Sequence, residues 1–230
     1  RRHRAAVRAE RGGRGGGARP GGRVAAFSTN RASRHADVVV DYDWDASHET
    51  VEMRRLFAAA LDLDTGREPL ERDRRRSSDG TLVVAMGGVH SPSRELPAQQ
   101  WATLARAWSA GAPFTVVTGP AERDLAERVG ALTGSPVVHG SFDDVAGRLA
   151  AAERVLTVDG GLVHVASYYG VPTTAVFTSG RAAKWAPLAA GSEVLRRTDL
   201  GCQPCTLFGQ TPPCPHAFAC KAVPLPPAPA

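Results

Sequence analysis

The chain reads as an α/β protein built on a Rossmann-like parallel sheet with flanking helices. Three observations predict this. From residue 80 onward, short apolar runs alternate with amphipathic helical patterns. Glycine-bearing turns stand where several of those apolar runs end. Hydrophobic residues make up 43% of the chain but aromatics only 6%, a composition suited to close-packed α/β layers. Strands alternating with helices imply right-handed crossovers, and ligands on such sheets sit outside the carboxyl ends of the strands.

The elements follow in order. Residues 1–22 are Arg- and Gly-rich and are expected to be a disordered tail. Arg23–Ser28 and Val38–Tyr42 read as short strands. Ser47 is a plausible N-cap for an amphipathic helix from Glu49 to Leu63, with Val51, Leu56, Phe57, Ala60 and Leu61 on one face. The alternating Asp41, Asp43 and Asp45 lack the glycine of a calcium loop and read as a polar loop. Thr65 to Gly80 is charged and polar, a linker. Leu82–Met86 is then a buried strand and Pro97–Ala110 a helix with Trp101, Leu104, Ala105 and Trp108 as a core stripe. Phe114–Thr118 is a strand, Ala121–Leu132 a helix, and Val137–Val138 a short strand. Phe142–Ala152 is a helix, Val155–Val158 a strand, Leu162–Tyr169 a helix and Thr173–Phe177 a strand. The domain boundaries expected are 23–79, 80–200, a Cys-rich extension over 201–223 and a Pro-rich tail over 224–230.

Charge narrows the partners. The formal net charge is +5, but residues 1–23 alone carry eight Arg and one Glu, so the remaining chain is close to −2. The basic character belongs to the tail, and a nucleic-acid-binding core is not expected. No apolar run reaches the ~18–20 residues that span a bilayer. The Gly-x-Gly-x-x-Gly dinucleotide fingerprint is missing after the strands, which argues against an NAD-linked dehydrogenase.

The most informative stretch is Asp159-Gly160-Gly161-Leu162-Val163-His164, between a predicted strand and a predicted helix. A strand, glycine turn and helix in that order aim backbone N–H groups and a positive helix end at one spot, where anions bind. Asp159 either holds a sugar hydroxyl or caps the helix, and His164 either reaches a phosphate or sugar or is a packed or surface histidine. Three loops leave the carboxyl ends of strands here, Gly87–Glu95, Gly119–Glu122 and Asp159–His164, and are expected to converge on one crevice. The cysteines have the spacing C-x2-C-x8-C-x5-C at Cys202, Cys205, Cys214 and Cys220. That spacing fits a structural metal such as zinc, with free or redox-paired thiols as the alternative.

From Gly80 onward the chain resembles the bacterial heptosyltransferase family, glycosyltransferase family 9. The matching pieces come in the family's order: Met86-Gly87-Gly88 with Arg94-Glu95-Leu96-Pro97, Thr118-Gly119-Pro120-Ala121-Glu122, Asp159 to His164, and Phe177-Thr178-Ser179-Gly180 with Lys184-Trp185-Ala186-Pro187. Many members also carry a cluster beginning Cys-x-Pro-Cys near the end. The resemblance implies the carboxyl-terminal, donor-binding half of a GT-B glycosyltransferase, with residues 23–79 as a remnant of a truncated amino-terminal domain that in the family supplies the acceptor site and a catalytic carboxylate. It implies transfer of a heptose from a nucleotide-diphosphate donor, ADP-heptose, to a glycoconjugate such as lipopolysaccharide core. The alternatives are a non-catalytic nucleotide-sugar-binding remnant and another enzyme on a similar framework, such as an epimerase. It implies a cytoplasmic protein with at most peripheral contact at the inner membrane.

The donor-site residues implied are Arg94, Glu122, Asp159, Gly160, Gly161, His164 and Lys184. Arg94 stands where a lysine is usual and changes the geometry of the phosphate contact while keeping its charge. Gly160 replaces the usual hydroxyl residue. Glu122 either contacts the ribose or base or only starts its helix, and Lys184 either approaches the site or is a solvated loop lysine. No cofactor is expected to be required for transfer. A zinc on the four cysteines would be structural.

Overall fold

In the computed structural model the described residues are 6–9, 23–63, 77–87, 91–207 and 210–226. The chain divides into two units, residues 1–70 and 71–230. Most of the expected tail, the 64–76 part of the linker and the last four residues lie outside the described set.

The smaller unit carries β1 (Ala6–Ala9), β2 (Arg23–Phe27), β3 (Val38–Val40) and α1 (Glu49–Leu61). The disordered reading of 1–22 is corrected at Ala6–Ala9, where backbone pairing to β2 in antiparallel register, Ala6 opposite Ala26, makes a strand. β2 and β3 run parallel. The α1 cap is also corrected. His48, not Ser47, is the N-cap, its Nδ1 accepting from Thr50 N–H at 3.2 Å. Ser47 instead donates to the buried Glu52 carboxylate. Of the expected apolar face, Leu56 and Ala60 pack with Ala25 and Phe27 and Val51 is also buried, but Phe57 and Leu61 are exposed. The helix ends two residues early because Asp62 adopts the left-handed conformation (φ 60°).

The larger unit is a six-stranded, wholly parallel sheet. Its strands are β4 (Leu82–Ala85), β5 (Phe114–Thr118), β6 (Val137–His139), β7 (Arg154–Val158), β8 (Thr173–Val176) and β9 (Glu193–Leu195). They lie in the order β6-β5-β4-β7-β8-β9. The helices are α2 (Ala98–Ser109), α3 (Arg123–Thr133), α4 (Phe142–Ala151), α5 (Gly161–Tyr168) and the single turn α6 (Ala182–Trp185). Strand periodicity explains the layering, because successive side chains point to opposite faces. Val84, Leu156 and Val158 pack with Trp101, Leu104 and Trp108 of α2 and Val129 of α3. Val83, Ala85 and Val155 pack with Val145 and Leu149 of α4 and Ala166 of α5. So α2 and α3 cover one face while α4 and α5 cover the other. The tryptophan stripe is core, as expected, with Trp101 1% and Trp108 2% exposed. The Trp108 indole N–H is satisfied by Thr174 Oγ1 at 3.0 Å. Gly134 closes α3 in the left-handed region (φ 74°), a position that favours glycine.

Besides β1, the elements β9 and α6 were not foreseen. β9 and α6 follow β8 in a stretch of mixed polarity, and only the edge pairing Ala175 with Val194 makes β9 a strand. Among the described residues no helix is long and apolar enough to cross a membrane.

Candidate functional site

The strand order reverses between β4 and β7, the two strands at the centre of the sheet. At such a switch point the loops leaving the carboxyl ends diverge to opposite faces and open a crevice. Here the crevice is a cavity of about 320 Å³, small for a ligand pocket but adequate for part of a larger molecule. Its walls include Met86 and Gly87 after β4, Glu122 after β5, Phe142 at the start of α4, and Gly160 and Gly161 at the N-terminal end of α5. The convergence of three loops expected from the sequence is therefore found at Gly87, Gly119, Glu122, Gly160 and Gly161.

Helix ends decide which wall is open to an anion. Ser141 and Asp144 form a capping box on α4, which satisfies the N–H groups of Ser141 and Asp144 at that helix end. The α5 N-terminus has no such side chain. Its N-cap is Gly160, in extended conformation (φ 170°), and among the described residues no side chain caps the helix. Asp159 therefore does not cap α5. A Cβ at Gly160 would meet only the Val158 carbonyl oxygen, at 3.7 Å. The backbone does not require glycine there; what the residue removes is a side-chain donor at an uncapped helix end, leaving the N–H groups as the anion-facing surface.

Arg94 and Asp159 are brought together. The Arg94 guanidinium donates through Nη1 to the Asp159 carbonyl oxygen at 3.2 Å, across 65 residues of chain. Arg94 Nε is buried with no hydrogen-bond partner among the described residues. Asp159 is 7% exposed. Burial pushes its carboxyl above the ordinary carboxylate value, opposed by the nearby Arg94 charge. A half-satisfied guanidinium beside a buried acid is a costly arrangement for a structural role and suits one that meets polar ligand groups.

The remaining residues separate. Glu122 ends the 3-10 turn Pro120–Glu122 and precedes α3, so it both starts a helix and lines the cavity. His164 is exposed on α5, and its ring meets Trp185 edge-on with centroids 5.6 Å apart. Lys184, on α6, is not a solvated loop lysine: it is 2% exposed. Neither lines the cavity, and Arg94 and Asp159 stand beside it rather than in its wall. Phe142 does, and it went unnoticed in the sequence. Its signal was a large aromatic as the first residue after a Gly-Ser helix start, and it is 65% exposed.

The four cysteines form no disulfide. Burial and then the neighbouring Cys202 and Cys214 push the Cys205 thiol up, and burial followed by Cys205 and Cys214 does the same for Cys220. Among the described residues no three His, Cys, Asp or Glu side chains are placed as a metal-holding group.

Comparison with known proteins gives the context. Residues 21–213 match glycosyltransferase family 9 (heptosyltransferase). Lipopolysaccharide heptosyltransferase 1 of Pseudomonas aeruginosa is 30% identical over 171 residues, covering 69% of this chain and 47% of that protein. The E. coli heptosyltransferase WaaC with ADP superposes with TM-score 0.56 at 21% identity, covering 71% of this chain and 54% of that one. E. coli ADP-heptose lps heptosyltransferase II superposes with TM-score 0.56 at 17% identity, covering 78% and 62%. The chain thus spans about half the length of the relatives it matches. With the family match extending over most of the chain and the parallel sheet shared with these structures, the chain belongs to glycosyltransferase family 9, the heptosyltransferases.

Proposed function

We propose that this chain is the donor-binding part of a glycosyltransferase that moves a heptose from ADP-heptose to a glycoconjugate acceptor such as lipopolysaccharide core. The observation that carries the reading is the switch-point cavity flanked by the uncapped α5 N-terminus, with Arg94 and Asp159 held beside each other. A solved relative carries ADP-2-deoxy-2-fluoro heptose, which supports the donor class.

The chemistry follows from charge. As the glycosidic bond to the donor phosphate breaks, negative charge grows on the leaving diphosphate. The Gly160 and Gly161 amides and the α5 dipole face that charge, and Arg94 supplies a full cation. Asp159 accepts from a sugar hydroxyl. Glu122 and Phe142 take the nucleoside end, with Phe142 offering an aromatic face to the base. His164 acts from the exposed face of α5 and Lys184 from the buried turn α6, toward the phosphates or sugar. The base that deprotonates the acceptor belongs to the acceptor-binding part of the enzyme. Transfer needs no metal or organic cofactor in this scheme, because the chain's own cation and amides meet the leaving group. The protein works in the cytoplasm, with peripheral contact at the inner membrane where a lipid-linked acceptor lies.

Calorimetric titration with ADP, UDP, GDP and their sugar conjugates tests the donor assignment. ADP compounds are expected to bind selectively, and His164→Ala to weaken them about tenfold, the worth of one hydrogen bond to a charged group. Absence of binding by a folded chain sinks the reading. Binding without glycoside formation, when an acceptor is supplied, confines it to a nucleotide-sugar-binding role.

For the cysteine segment we propose a structural zinc on Cys202, Cys205, Cys214 and Cys220, closing in the metal-loaded chain and taking no part in transfer. Metal analysis after exhaustive dialysis is expected to find about one zinc per chain. Four freely titrating thiols and no bound metal would remove it.

A further inference from the structure

Two buried serines meet at the carboxyl end of the sheet. Ser93 immediately precedes Arg94, and Ser179 immediately precedes Gly180. Their hydroxyls are 2.6 Å apart, and the residues are 0% and 1% exposed. Thr206 Oγ1 donates to Ser179 Oγ at 2.6 Å. Thr211 Oγ1 lies 2.8 Å from Thr206 Oγ1 and 3.3 Å from Ser93 Oγ, which closes a ring of four hydroxyls. Backbone bonds reinforce it, since the Ser179 carbonyl accepts from Cys205 N–H at 3.1 Å and Thr206 N–H at 3.0 Å. Gln203 also donates to the Thr178 carbonyl.

Such a ring is an expensive way to fill space. Buried hydroxyls cost free energy unless paired, and apolar side chains of similar size would hold the segment without that cost. What hydroxyls add is direction, because each bond fixes the relative placement of two loops.

The loops fixed here are those on either side of Asp159. The Ser93 loop carries Arg94, whose guanidinium reaches the Asp159 carbonyl. The Ser179 loop carries Gly180, and a Cβ on Gly180 would stand 1.9 Å from Asp159 Oδ2. The Asp159 carboxyl therefore occupies the space that any side chain at 180 would take. A cation stands against its backbone and a bare Cα against its carboxyl.

We propose that the Ser93–Ser179–Thr206–Thr211 hydroxyl ring is a positioning device for the donor site, with Gly180 as the seat of the Asp159 carboxyl, so that Thr206 and Thr211 belong to that site. The inference rests on the donor-site reading for its function, but its geometry stands in the free chain. None of the ring residues touches donor; they act through Arg94 and Asp159.

The test uses the full chain and three readouts: the titration midpoint of the Asp159 carboxyl by carbon-13 NMR without ligand, the ADP dissociation constant, and the thermal midpoint. Ser179→Ala and Thr206→Val are expected to move the Asp159 midpoint and to raise the ADP dissociation constant about tenfold, the equivalent of one hydrogen bond. Thr206→Ser keeps the hydroxyl and is expected to restore both. Gly180→Ala moves the Asp159 midpoint by displacing the carboxyl. A purely structural ring would lower the thermal midpoint while leaving the Asp159 titration and ADP affinity at wild-type values, and that result overturns the proposal. If Ser179→Ala fails to fold, the Thr206→Val and Thr206→Ser pair decides. If the wild-type chain binds no ADP, the donor-site reading fails, and the ligand-free Asp159 titration still judges the ring.

Discussion

Replacing Arg94 with alanine is expected to weaken ADP binding by about ten- to hundredfold. Hydrogen bonds to charged groups contribute about 1.5–3 kcal/mol, and each 1.4 kcal/mol is tenfold in affinity. The guanidinium is already oriented by its bond to the Asp159 carbonyl, so little entropy is lost when it meets a phosphate. Its Nε is buried without a protein partner among the described residues, so a phosphate oxygen is met by the Nη nitrogens of the fork. Arg94→Lys keeps the charge but not the planar fork and is expected to fall between wild type and alanine. Calorimetry on the three proteins at one fixed salt concentration makes the comparison. Equal ADP affinity in all three would place the diphosphate elsewhere.

Asp159→Asn is expected to have two opposite effects. In the free chain it stabilises the fold at neutral pH. Burial raises the folded carboxyl's pKa, so the folded state holds a proton more tightly than the unfolded state does. Stability is therefore highest while the acid is protonated. It falls as pH rises from the ordinary carboxylate value through the raised folded value, and the full cost persists above that. Asparagine, which never ionises, removes the pH-dependent loss. Thermal midpoints across the acidic-to-neutral range check this, and the difference between variant and wild type must grow as pH rises. Parallel curves would mean that the Asp159 carboxyl titrates at its ordinary value. In the bound state the variant is expected to lose about tenfold in affinity for the sugar-bearing donor, because a neutral amide is a weaker acceptor for a hydroxyl than a carboxylate. ADP without the sugar should be less affected.

The strands and helices from residue 80 onward were legible because their signals are local. Phe114–Thr118 is bounded by the Ala-Pro before it and the Gly-Pro after it, and its ends came out as read. The α2 stripe of Trp101, Leu104, Ala105 and Trp108 repeats at helical spacing, and all four are buried. Failures fell where tertiary pairing overrides composition. Ala6–Ala9 sits among arginines and glycines, yet antiparallel pairing to β2 makes it a strand. β9 carries a Glu at its start and no strong alternation, and it exists because β8 offers an edge. Phe57 and Leu61 fit an apolar helical stripe but lie outside the contact made by Val51, Leu56 and Ala60.

For the site, the sequence carries the turn from β7 into α5, because glycines at 160 and 161 directly follow an apolar run. It also determined that three loops leave the same end of a parallel sheet, since that follows from the order of strands and helices. Three-dimensional packing settled which strands neighbour each other, and so that β4 and β7 flank the crevice. It alone placed Phe142 in the cavity wall, buried Lys184, and kept His164 on an exposed helix face. It also joined Ser93 to Ser179 across 86 residues and pressed Gly180 against the Asp159 carboxyl. The reason is range. Turns and helix starts are written in a few consecutive residues, whereas a hydroxyl pair or a carboxyl seated on a bare Cα depends on strand order, which no short stretch of sequence encodes.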